Sequence, residues 1–149
     1  MNPFLLDPTS RLQDWKDFRE ELRVEPESKA LQLTADYWAK APLMKCAYDF
    51  NDCTDWPSAW EMINAGEWCP YSVAIGMEFT LRLAGWNPER LTLLTIRDYD
   101  ISDERMILKI DESLVLNYNV GMVEEYPKTT HDVMAAFRND GKRYSRITI

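Results

Sequence analysis

The sequence concentrates its potential for chemistry at one junction, Gly66-Glu67-Trp68-Cys69-Pro70. Glycine stops one helix there. Proline starts the next, in a first helical position where its missing N–H is no loss. A thiol at that mouth sees unpaired backbone N–H groups and the positive end of the helix dipole, and both favour the thiolate that attacks a carbonyl carbon. The same N–H groups would steady the resulting oxyanion. A nucleophile of this kind also needs a proton acceptor. The chain's single histidine is His131, in Lys128-Thr129-Thr130-His131-Asp132, a polar and turn-like stretch that reads as surface.

Other chemistry-bearing residues are sparser. Cys46, Cys53 and Cys69 make an odd count, so at least one thiol is free. Their spacing matches neither a secreted disulfide framework nor a Cys-x-x-Cys pair. Cys46 and Cys53 read as structural or incidental. A zinc site would have to gather all three cysteines with His131, which the spacing does not suggest. Asp49, Asp52, Asp55 and Asp98, Asp100, Asp103 have loop placement suited to hard cations, but no calcium-loop glycine or terminal glutamate completes them. Solvated loops are the simpler reading, and neither a metal nor a cofactor is expected.

The elements that must position Cys69 follow from periodicity. Asp7-Pro8-Thr9-Ser10 is a helix start, and Leu12, Trp15, Phe18 and Leu22 continue at helical spacing. Leu31, Leu33, Ala35, Trp38 and Ala39 predict a second helix ending before Pro42. Together these form a helical arm over residues 1–44, ahead of a core over 45–149, within one domain spanning 1–149. Trp56-Pro57-Ser58 opens a short helix, Ala59 to Asn64, closed by Ala65-Gly66. The helix after Cys69 runs from Tyr71 to Ala84 and is apolar nearly all round, so it is expected to be central and buried. Beyond Gly85 the period shortens to that of strands: Leu91–Arg97, Arg105–Ile110 and Ser113–Tyr118, with Asp111-Glu112 as a turn. Thr129 to Phe137 reads as a short helix and Arg143 to Ile149 as a last strand. Helices first and an antiparallel sheet second make an α+β domain.

Composition bounds the function. A 17.5 kDa chain that is 46% hydrophobic and 28% charged can bury a core without metals. Lys and Arg total 17 against 25 Asp and Glu, for a net charge of −8 and a pI near 4.7. Such a chain repels phosphate backbones, which argues against general nucleic-acid binding. No stretch reaches the ~20 apolar residues of a membrane span. The opening MNPFLLDPTSRLQDWK lacks a basic n-region and a cleavage site, so no signal peptide is expected. Charge reverses locally at the end, where Arg138, Lys142, Arg143 and Arg146 face only Asp140.

The run Trp56-Pro57, Trp60-Glu61, Gly66-Glu67-Trp68-Cys69, Ala74, Leu81-Arg82, Gly85, Arg90-Leu91 and Arg97 resembles the bacterial transglutaminase-like cysteine proteinases. In that family a Trp-Pro helix leads to a Gly-Asp-Cys-Glu-Asp motif, a helix and a three-strand sheet. The similarity spans about Trp56 to Asn119 and implies a papain-like α+β fold with Cys69 at the nucleophile's place. The departures are as informative. Arg105 stands where the resemblance places the base histidine at the start of the second strand, and Asn117 where it places the orienting aspartate. Trp68 replaces the acid before the cysteine, and Pro70 and Tyr71 the acids after it. Asn117 can orient an imidazole. Arg105 stays protonated and cannot act as a base, although it can hold Cys69 as a thiolate. The whole chain also resembles small proteins of tailed bacteriophages.

The expectation is therefore a non-catalytic binding or assembly protein on a degenerate transglutaminase-like scaffold, with Cys69, Arg105, Asn117 and His131 as the remnant of a triad. The phage resemblance implies a virion component or an effector of the host cytoplasm that binds a host protein. Contact candidates are Trp68 and Tyr71 beside the cysteine and Arg143 and Arg146 on the last strand. The alternatives are an active cysteine hydrolase or acyl transferase, with Cys69 attacking and His131 as base, and an acidic decoy for a DNA-binding protein. Oligomeric state is left open by the sequence.

Overall fold

The structure, a computed structural model, describes residues 2–46, 49–100, 103–127 and 130–149. Its helices begin where local chemistry starts them. Asp7 caps α1 (Pro8–Leu22) by accepting from the Ser10 N–H at 2.9 Å, and Pro8 fills the first turn. Ser58 and Glu61 form a reciprocal capping box on α3 (Ala59–Ala65), which Gly66 ends in the left-handed conformation at φ 72°. α2 (Glu27–Trp38) and α4 (Pro70–Leu83) complete the helical layer. Ser72 to Leu81 of α4 are all buried, so the helix is central, as its all-round apolar sequence requires.

The N-terminal segment expected as an arm is seated in the same core as the sheet. Trp15 of α1 and Trp38 of α2 are 0% and 1% exposed, and both indole N–H groups donate to Thr80 Oγ1 of α4 at 3.0 Å. Thr80 in turn donates to the Gly76 carbonyl. Gly76 permits this approach, because a Cβ there would collide with the Trp38 ring. Phe4 and Trp38 each pack edge to face with Trp68 and lie tilted against one another at 54°. Further along α4, the fully buried Glu78 pairs with Arg82 at 2.9 Å and accepts from the Tyr144 hydroxyl. Burial pushes the Glu78 carboxyl upward, against the pull of Arg82.

Among the described residues six antiparallel strands form one sheet in the order β4-β3-β2-β1-β5-β6. They are β1 (Leu91–Asp98), β2 (Glu104–Ile110), β3 (Leu114–Leu116), β4 (Val123–Glu125), β5 (His131–Asn139) and β6 (Tyr144–Ile147). Alternation sorts the side chains into two faces. Leu91, Leu93, Met106, Leu108 and Ile110 join the helical core. Leu94, Ile96, Ile107, Val115 and Ala136 form a second cluster on the outer face, roofed by Tyr118, Tyr126, Val133 and Ile147. α4 lies against β1 and β2 on the inner face.

Two expectations change here. Residues 131–137, expected in a helix from Thr129 to Phe137, form strand β5 along the free edge of β1; Thr129 itself lies outside the described residues. The register slips between Thr95 and Ile96, so Met134 is an extra residue on β5 and breaks the two-residue alternation that marks a strand. Pairing with β1 overrides the helical propensity of Met-Ala-Ala. The three-residue strand β4 was not foreseen. Strand β6 forms the sheet's edge, with Tyr144 packed inward against Trp56 and Phe79 and Ile147 turned to the outer face.

Candidate functional site

Cys69 is the N-cap of α4. Its backbone is extended (φ −140°, ψ 172°), Pro70 follows in the first turn, and its N–H donates to Ser72 Oγ at 2.7 Å. The residue is 3% exposed. Its sulfur, expected as a thiol, is instead joined to Cys46, with the two Cα atoms 5.3 Å apart. The partner arrives because residues 43 and 44 run beside the head of α4: Leu43 bridges to Trp68, and the Met44 N–H donates to the Trp68 carbonyl at 2.7 Å. Residues 47 and 48 lie outside the described residues. Free Cys53 is partly buried, and its thiol donates to the Tyr144 carbonyl at 3.6 Å. The 23-residue separation and an aperiodic loop left no sequence signal for the pair.

Beside this disulfide opens a cleft of about 540 Å³. Trp38, Val73 and Met77 line its apolar wall, and the loop carrying Leu43, Met44 and Cys46 faces the turn with Val120 across it. Leu43, Met44 and Val120 are exposed at 55%, 55% and 68%. Tyr71 lies in the cleft, stacked on Phe50 with centroids 5.1 Å apart. Burial pushes its phenol up, and the nearby carboxylates of Glu104 and Asp103 push it further.

Strand β2 decides what faces this cleft. Met106, Leu108 and Ile110 point inward, so Glu104 shares their face; it lines the cleft and pairs with Arg97 at 3.0 Å. Arg105, expected in the place of the base and near the sulfur, contributes to the rim but sends its guanidinium to the outer face. There it pairs with Asp98 at 3.0 Å, donates to the Tyr118 carbonyl at 2.6 Å and lies over the Tyr118 ring. It holds no thiolate at Cys69.

Asn117 has the left-handed backbone that ends β3, φ 68°. Its Nδ2 donates to the carbonyls of Pro70 (3.1 Å) and Met106 (3.0 Å). It orients no imidazole; it ties the head of α4 to β2. His131, expected on a polar surface, is 6% exposed in β5, opposite Asp98 on β1. Its Nε2 meets the Tyr126 hydroxyl at 2.9 Å, the Tyr118 and Tyr126 rings flank it, and its Nδ1 is buried with no hydrogen-bond partner among the described residues. Burial pulls the imidazole pKa down, opposed in part by Asp98. These outer-face partners set it on the opposite side of the sheet from α4, so Cys69 and His131 are not brought together.

The contact candidates divide. Tyr71 faces the cleft. Trp68 is a core residue, 2% exposed, with its indole N–H buried and without a hydrogen-bond partner among the described residues, so it offers no contact surface. Arg143 and Arg146 are exposed on and beside edge strand β6. Asp52 caps a 3-10 turn, and Asp98 accepts from the Asp100 N–H while pairing with Arg105. Among the described residues no group of three or more His, Cys, Asp or Glu side chains is placed to hold a metal. No helix of the described residues is long and apolar enough to cross a membrane.

This architecture matches solved structures of LapG from Legionella pneumophila. The calcium-bound form aligns at a TM-score of 0.76 with 17% identity, over 89% of this chain and 76% of that one. A second LapG structure aligns at 0.74 with 18% identity, over 87% and 75%. The EGTA-treated form gives 0.74 and 18%, over 87% and 73%. No protein-family model matches the chain, and no curated protein sequence does. At this identity the likeness concerns the fold: among the described residues, four α-helices on a six-stranded antiparallel sheet, arranged as in LapG.

Proposed function

We propose that this protein is a non-catalytic binding or assembly module that holds a segment of a partner protein in the cleft at the head of α4. One observation carries the reading: an open apolar cleft persists while the sulfur that would do chemistry beside it is bonded to Cys46. At the level of β2 where the resemblance puts a base, the inward residue is Glu104, and the imidazole of His131 lies on the far face. Exposed apolar lips around a concave site suit an extended peptide with an apolar side chain. The acidic surface fits a protein partner better than nucleic acid or membrane. The resemblance to tailed-phage proteins suggests where such a module works, as a virion component or as an effector binding a host protein in the host cytoplasm.

A second reading is an active cysteine hydrolase or acyl transferase using Cys69, and the fold shared with LapG favours it. Two measurements separate the readings. Peptide, amide and thioester substrates are offered to the protein, oxidised and reduced, beside Cys69→Ala. The binding reading expects no turnover that depends on Cys69, and turnover abolished by the substitution establishes the hydrolase. In parallel, a random-peptide library is panned on the protein and on Val120→Asp. Sequences with an apolar anchor are expected to be enriched on the first and lost on the second. Equal enrichment on both removes the cleft as the binding site.

A further inference from the structure

The geometry points to the Cys46–Cys69 pair as a thiol–disulfide exchange site, in which an incoming thiolate attacks Cys46 and Cys69 departs. Two features set this polarity and a third opens a route to the bond. The first is exposure: Cys46 is open to solvent, whereas Cys69 is buried at 3%. Attack on a disulfide needs access to one sulfur, and here one end is offered. The second is position. Cys69 caps the N-terminus of the fourteen-residue helix α4, where free N–H groups and the helix dipole stabilise a departing thiolate, and Cys46 lies in a loop without such a helix. The third is space. Cys46 lines the large cleft and also a smaller cavity of about 220 Å³ shared with Cys69 and Ser72, so a thiol-bearing molecule has a route to the bond.

The step balances with an external thiol or dithiol as reductant. A thiolate RS⁻ bonds to Cys46 Sγ as the Cys46–Cys69 bond breaks, and the electron pair leaves on Cys69 as its thiolate. A second thiolate then attacks the mixed disulfide at the R sulfur and releases Cys46 as a thiolate. Two external thiols become one disulfide while the protein disulfide becomes two thiols. Cys53 takes no part: burial pushes its thiol up, and its Sγ–H is directed at the Tyr144 carbonyl. Reduction also releases the covalent tie that fixes the Leu43–Met44 wall of the cleft, leaving the Trp68 bridge to hold it.

The test uses the Cys53→Ser background with reduced glutathione as the probe, and mass spectrometry to place the adduct. Glutathione is expected on Cys46, with near-UV circular dichroism unchanged. In a further Cys69→Ser variant no protein disulfide remains for reduced glutathione to attack. The Cys46 thiolate is therefore loaded by exchange with oxidised glutathione, one glutathione thiolate leaving, and the adduct has no intramolecular resolving thiol. With external thiol at ~0.1 mM and an effective intramolecular concentration in the millimolar range, the adduct should persist about tenfold longer. The inference is overturned if glutathione appears on Cys69, if the adduct lifetime is the same in both proteins, or if reduction occurs only as the near-UV signal is lost. None of these readouts involves a cleft ligand or substrate turnover, so they stand or fall separately from the binding reading.

Discussion

Replacing Thr80 by valine tests whether one hydroxyl seats both N-terminal helices on the helix that carries the site. Thr80 Oγ1 accepts from Trp15 Nε1 and Trp38 Nε1, each at 3.0 Å, in a region sealed from water. Valine has nearly the same shape, so no cavity opens, but two indole N–H groups lose their acceptor. Each buried donor left unsatisfied costs about 1–3 kcal/mol. The two share one oxygen, so the sum falls toward the lower end, about 3 kcal/mol. For a chain of this size that corresponds to roughly 6–12 °C in Tm. Thr80→Ser keeps the oxygen and removes one methyl group, which costs about 1 kcal/mol. The assay is urea unfolding followed by tryptophan fluorescence, read as a change in midpoint at constant m-value. If Thr80→Val proves as stable as Thr80→Ser, the shared acceptor is not what anchors α1 and α2, and the account of the core is wrong.

Two further outcomes follow from the residues expected as catalytic remnants. Burial lowers the folded-state pKa of His131 below its unfolded value of about 6.5, so the unfolded chain binds the proton more readily. Stability is therefore lost as pH falls through 6.5 toward the folded pKa, and His131→Gln should flatten this part of the pH profile of the urea midpoint; equal slopes in both proteins would refute it. At Asn117, the alanine variant loses both side-chain bonds and also strains a left-handed backbone, whereas the glycine variant loses only the bonds. The alanine variant should be less stable than the glycine variant by about 1 kcal/mol, measured by urea unfolding, and the reverse order would remove the strain argument.

Much of the fold was legible in the sequence because it rests on local rules. Asp7, Ser58 and Gly66 mark helix ends through groups within four residues of them, and the apolar wheel of 71–84 announces a buried helix whatever surrounds it. Strands β1 and β2 show in their Leu-rich and Ile-rich runs. Strand β5 does not, because the bulge at Met134 interrupts its alternation and its partner β1 lies more than thirty residues earlier. The site was half legible. The place of Cys69 at a helix mouth follows from Gly66 and Pro70, while the fate of its sulfur depends on a loop 23 residues away.

Taken alone, the sequence determined the four α-helices and the strands β1 to β3 in their order, the central helix, the cysteine at its head and the scarcity of imidazole, since each is a matter of residue type and short-range spacing. Tertiary structure decided which groups meet. A strand turns alternate residues to opposite faces, so a shift of one position exchanges Glu104 for Arg105 at the cleft. The same alternation sends His131 to the tyrosines of the outer face. Sheet and loop packing together bring Cys46 to Cys69, because contacts across the fold are set by backbone pairing between distant segments, which no local pattern records.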